Sequence, residues 1–138
     1  MSFVYTYAKK LIAQGDIDFV NDDLRVLLLK VAASTSCDTE KDKETISGFT
    51  TLGEISATNY VRKALASEAV NQDDPNLRAE FDATDVTWTA LGGASNDTIG
   101  AILLYKHVTD DTDSIPIAYI DDGGSSFAQA TNGSDIVL

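Results

Sequence analysis

The apolar residues of this chain come in short runs, broken roughly every ten residues by clusters of Asp, Asn, Gly and Pro. Two runs are the most apolar: residues 24–31 (LRVLLLKV) and 99–108 (IGAILLYKHV). Each is short, branched-aliphatic and nearly continuous, the pattern of a strand covered on both faces. A helix over 24–31 would have only about eight residues between polar flanks, fewer than helices usually need. Elsewhere the period is two. Leu77, Ala79, Phe81 and Ala83 alternate with Arg78, Glu80 and Asp82, and Val86, Trp88 and Ala90 alternate with Asp85, Thr87 and Thr89. Both stretches predict half-buried strands, with Trp88 facing the core. Further strands are expected over 59–65, 66–71, 115–120, 127–131 and 135–138. Pro116 falls near the start of its strand, where a missing N–H is tolerated. Turns are expected at 73–76, 92–97, 109–113 and 121–125, and residues 33–51 read as one long polar loop. This succession predicts an all-β fold, a β-sandwich or jelly roll, with residues 16–138 as its single domain.

The N-terminus has a different period. Phe3, Tyr7 and Leu11 fall at i, i+4 and i+8, and Val4, Ala8 and Ile12 form the neighbouring row. The spacing predicts an amphipathic helix over 3–14, capped by Ser2 and stopped by Gly15, so that residues 1–15 form a helical appendage. Lys9 and Lys10 suit the negative end of its dipole. A helix this short is unstable alone, so its apolar arc must bury against its own sandwich or against another chain. Tyrosine suits surfaces with one apolar and one wet side. Phe3, Val4, Tyr5, Tyr7, Leu11 and Ile12 are therefore the candidate interface residues. The two strands apolar on both faces also ask for a second cover, which predicts a homo-oligomer, with a trimer among its forms.

The 138 residues fit one domain. Acidic residues number 22 against 10 basic, a net charge of −12, and the basic residues are scattered. No basic patch stands ready to meet phosphate, so neither nucleic acid nor an anionic membrane is an expected partner. No apolar run approaches the ~20 residues of a membrane span. The first residues, MSFVYTYAKKLIAQG, place lysines after the apolar positions, which argues against a secretory signal. The single Cys37, in a polar stretch, reads as a free thiol in a loop, and the single His107, at a strand end, as a structural histidine. No nucleophile elbow, phosphate loop or dinucleotide fingerprint is present. The expectation is a protein that is not an enzyme, with no catalytic residues, no metal ligands and no cofactor. Asp22-Asp23, Asp73-Asp74, Asp110-Asp111 with Asp113, and Asp121-Asp122 fall at expected turns, where turn chemistry accounts for them. A calcium- or carbohydrate-binding β-sandwich module is the alternative those carboxylates leave open.

Taken in order, DATDVTWTAL (82–91), IGAILLYK (99–106) and PIAYIDDGG (116–124) resemble a group of small virion proteins of tailed bacteriophages. LRVLLL and NYVRKAL, at 24–29 and 59–65, extend the resemblance over most of the chain, weakly over 33–51. Asp122 departs from the pattern, which often has Phe before the glycines. The resemblance implies a structural protein of the virion, foremost a capsid decoration or cement protein that binds across the major capsid protein lattice. A neck or tail component is the alternative. It brings no catalytic residues with it.

Overall fold

The computed structural model describes residues 1–121 and 128–138. In chain order the elements are β1 (Phe3–Val4), α1 (Thr6–Gln14), β2 (Leu24–Lys30), β3 (Lys63–Ala64), β4 (Ala69–Asp73), β5 (Arg78–Asp82), β6 (Thr87–Leu91), β7 (Thr98–Lys106), β8 (Ile115–Ile120), β9 (Gln129–Ala130) and β10 (Ser134–Val137). Short 3₁₀ turns occupy Ala32–Ser34 and Ile46–Gly48. The protein is thus mostly β, in antiparallel sheets, with one short helix.

The main sheet runs β1-β8-β7-β2-β3, with β9 also paired to β7. The two runs apolar on both faces become its centre. β2 and β7 pair from Leu24↔Lys106 to Leu29↔Ala101, across more than seventy residues of sequence. Register then sorts the side chains. Val26, Leu28, Ile102 and Leu104 share one face, and Leu27, Leu29, Ala101 and Leu103 share the other; all eight are buried. The second cover that such strands require comes from this chain itself. The ribbon β6–β10 brings Val86, Ile136 and Leu138 over the first face. The N-terminal segment and the 33–51 loop join the core on the other side, through Tyr5, Ala8, Leu11, Cys37, Ile46 and Phe49.

Gly100 shows how tightly the centre is built. A Cβ there would lie 2.4 Å from the Val31 Cα, at the place where the β2–β7 register shifts. Only glycine lets the two backbones approach so closely.

Several expectations are corrected. The helix spans Thr6–Gln14, not 3–14, because Phe3 and Val4 pair with Tyr119 and Ala118 as an edge strand. Ser2 does not cap it. Its hydroxyl bonds Asp121, and Tyr5 stands at the N-cap, its side chain making no capping bond to the helix. The C-terminal end is as read: Gly15 closes the helix at φ 82, where a side chain would be strained. The strand expected over 59–65 shrinks to β3, and the one over 66–71 begins only at Ala69. The turn expected at 92–97 links strands of two different sheets, since β6 pairs with β10 rather than with β7. The glycines of the 121–125 turn and Phe127 lie outside the described residues.

The largest departure concerns 77–83. Its alternation is present in β5, but the strand pairs only with β4. The two form a hairpin standing off the body, and Leu77, expected inward, is 92% exposed.

Candidate interaction surfaces

The six N-terminal residues expected at an interface are split by the fold. Tyr5 is fully buried and Leu11 nearly so, inside this chain's own core. Tyr5 donates its hydroxyl to the Cys37 carbonyl at 2.7 Å, and its backbone N–H donates to the Ile117 carbonyl at 2.9 Å. Its ring meets Phe3 and Phe49 edge-on, with centroids 5.0 and 5.5 Å apart. Phe3 stacks on Tyr119, and Lys41 lies over the outer face of the Phe3 ring at 4.5 Å. Phe3, Val4 and Tyr7 are half-buried, and Ile12 is exposed at 38%. A partner approaching this end would therefore meet Tyr7 and Ile12 with Lys10, whose ammonium lies 5.4 Å from the Tyr7 ring centre.

The long polar loop is tied down rather than loose. Cys37 is fully buried in it, not exposed as its polar surroundings suggest. Burial pushes the Cys37 thiol up to about 11, with Asp38 and Glu40 adding to the rise. Such a thiol is chemically quiet. Glu40 organises the same loop. It accepts the Thr50 hydroxyl, the Thr50 backbone N–H at 2.9 Å and the Ser36 hydroxyl at 2.8 Å. These bonds hold its carboxyl at about 2, below its usual 4.5. A carboxyl lowered by folding stabilises above its unfolded value, and that contribution is lost as pH falls towards the folded one. A carbon-detected NMR titration should place the Glu40 midpoint near 2. Glu40→Gln should flatten the acid limb of stability between about pH 4.5 and 2. A Glu40 midpoint at the ordinary carboxylate value would refute this picture of the loop.

Beside the central sheet lies an ionic hub that sequence reading missed. Arg62 reaches Glu54 with two N–H donors, at 2.9 and 2.7 Å, and Asp111 with two more, at 2.5 and 2.9 Å. Its guanidinium sits 5.6 Å from the Tyr105 ring centre. Tyr60 donates to Glu54 at 2.6 Å and accepts the Leu28 backbone N–H at 3.0 Å. The carboxylates on both sides, Glu54 first, raise the Arg62 guanidinium, and burial raises the Tyr60 phenol. The hub thus joins the 54–62 segment, the central sheet and the β7–β8 loop. The sequence reading placed Tyr60 and Arg62 only in a strand expected over 59–65, and nothing local says that Arg62 turns inward.

Turn aspartates satisfy backbone N–H groups, those of their own turn at Asp18 and Asp113 and that of a distant segment at Asp97. Asp18 accepts the N–H groups of Val20 and Asn21, Asp113 those of Thr109 and Asp110, and Asp97 that of Ser56. These bonds lower all three carboxyls, in Asp18 led by the Asn21 side chain. Among the described residues no group of three or more His, Cys, Asp or Glu side chains is placed to hold a metal ion. His107 lies with its Nδ1 3.3 Å from the Ser114 hydroxyl, beside the Asp110 turn. Among the described residues, no helix is long and apolar enough to cross a membrane.

A groove of about 190 Å³ opens where the hairpin leaves the body. It is lined by Val26, Ile102 and Leu104 of the sheet, Phe81 and Ala83 of the hairpin base, and Leu138. Phe19 closes one side of the base, its ring 5.1 Å from that of Phe81.

Compared with known proteins, the chain matches no family model, no curated protein and no solved structure.

Proposed function

We propose that this protein is a structural component of a tailed-bacteriophage virion, a decoration or cement protein that binds across the major capsid lattice. We read its sheet and the ribbon above it as a β-sandwich. One observation carries the reading: the three segments with the virion-protein resemblance form β6, β7 and β8, the centre of the fold and its covering layer. The construction suits the task. Glu40 ties the loop to itself, Tyr5 ties it to the N-terminal edge and to β8, and Arg62 ties the β7–β8 turn to the 54–62 segment, which makes a stiff small body. Stiffness matters because binding stabilises a shell only by preferring its mature state, and a soft ligand prefers neither state strongly. The charge of −12 keeps free copies apart before they find their sites.

The test is copy number in virions purified from the phage that encodes the chain. Quantitative mass spectrometry should find on the order of hundreds of copies per particle, as lattice symmetry requires. A few to dozens would move the protein to the neck or tail, and its absence from particles would reject the virion reading.

A further inference from the structure

Residues 66–84 are tied to each other and hardly at all to the rest of the protein. Among the described residues, every hydrogen bond and ion pair made by 66–84 has both partners within 66–84. The strand pairing runs from Ala69↔Asp82 to Asp73↔Arg78, and the Thr84 N–H donates to the Ala66 carbonyl at 2.9 Å to close the base. The tip is laced as well. Asp73 accepts the Asn76 side chain at 2.7 Å and the Arg78 guanidinium at 3.0 Å, and Arg78 also reaches Glu80. A two-stranded ribbon is marginal by itself, and this internal network is what lets it keep its shape without help from the body.

What holds this arm to the body is apolar and narrow. Among the described residues, Phe81 is the one hydrophobic residue of the arm packed against the core, and its ring meets that of Phe19 at 5.1 Å. The chain is fixed just outside the arm on both sides. The Leu65 N–H donates to the Leu24 carbonyl at 2.8 Å, and Val86 and Leu138 exchange two backbone bonds at 2.8 and 2.9 Å. Between these anchors and the first strand pair lie only 66–68 and 83–85, with Ser67 in the left-handed region at φ 57. A few such residues at the ends of elements are where hinges form. Charge opposes closure. The arm carries five carboxylates and one arginine, −4 of the chain's −12, and the segment that holds Phe19 carries Asp16 and Asp18.

We propose that the 66–84 hairpin is a hinged arm that swings as one body about 66–68 and 83–85, with the Phe81–Phe19 contact as its latch. The motion has a definite consequence for the groove of about 190 Å³ at the arm's base. That groove is lined both by Val26, Ile102 and Leu104 of the sheet and by Phe81 and Ala83 of the arm. Swinging outward therefore widens it and uncovers side chains that are buried while the latch is made. Salt screens the repulsion between arm and body, so it favours the latched state, and low salt favours the open one. The device does not depend on the virion reading.

Residual dipolar couplings of the backbone amides, measured on the full chain at low and high salt, test this. The couplings of 69–82 should fit the hairpin's own geometry, but at low salt with an alignment roughly a third weaker than that of β2 and β7, the drop from a rigid to a flexible order parameter. The difference should shrink as salt rises. Phe81→Ala removes the latch and should weaken the arm's alignment further while the couplings of β2 and β7 stay as they were. Phe81→Leu, which keeps an apolar contact, should fall between the two. Couplings that fit arm and sheet as one rigid body at both salt concentrations overturn the proposal. So does a Phe81→Ala chain whose arm is no more mobile than before. Loss of the cross-strand contacts within 69–82 overturns it too, because the arm would then melt rather than swing. Should Phe81→Ala fail to fold, the couplings of the native chain across the salt series still decide.

Discussion

Tyr5→Ala should cost this protein about 3–5 kcal/mol of unfolding free energy, the range for removing a large buried aromatic side chain. The ring has no exposure and packs between Phe3 and Phe49, so its loss opens a cavity the aromatic neighbours cannot refill. The hydroxyl contributes separately. Tyr5→Phe keeps the ring but leaves the Cys37 carbonyl without its donor in a buried place, and should cost about 1–2 kcal/mol. Ile12→Ser, on the outer side of the same helix, should move stability little. Urea unfolding reads all three as a shifted midpoint at constant m-value. A Tyr5→Ala loss under about 1 kcal/mol would mean that the N-terminal segment is not part of the core. The comparison also separates the roles of the predicted interface residues. Tyr5 and Leu11 are buried in this chain's own core, whereas Phe3, Val4 and Tyr7 keep part of their surface and Ile12 is exposed on the outer side of the helix.

Arg62→Met should cost about 2–3 kcal/mol. Breaking a fully buried ion pair costs about 3–5 kcal/mol. The side chain here is 24% exposed, so water screens part of that cost. The loss has a definite source: Glu54 and Asp111 keep their charges but lose four N–H donors between them. Adding Glu54→Gln and Asp111→Asn to Arg62→Met should therefore recover part of the stability, a non-additivity that a double-mutant cycle measures. Arg62→Lys should not substitute, because one ammonium cannot offer two forked pairs. A triple variant that is simply the sum of its parts would show that the hub is not a unit.

The resemblance segments illustrate what local pattern conveys and what it leaves open. Val86 and Trp88 alternate with polar residues, and Trp88 is buried as that alternation requires, with its indole N–H donating to the Val61 carbonyl at 2.7 Å. Leu77 and Ala79 alternate just as well and are exposed. Periodicity says which residues share a face; it does not say whether anything covers that face. Cys37 makes the same point in reverse. Its polar neighbours read as an open loop, yet the loop folds back so that Tyr5 bonds the Cys37 carbonyl and Glu40 gathers Ser36 and Thr50.

What the sequence alone determined is therefore local in origin. The strand-rich class follows from short runs between turn formers. The central place of β2 and β7 follows from their being apolar on both faces, and the end of α1 from Gly15, whose φ of 82 suits no other residue as well. What only the tertiary structure decided are the pairings. β2 chose β7, β6 chose β10, and Phe3–Val4 left the helical pattern to join β8. Arg62 turned inward because Asp111, from the distant β7–β8 loop, met it beside the nearby Glu54. Each of these depends on groups far apart in the chain arriving at one place, and the free energy of such a meeting is a property of the assembled neighbourhood, which no window of sequence contains.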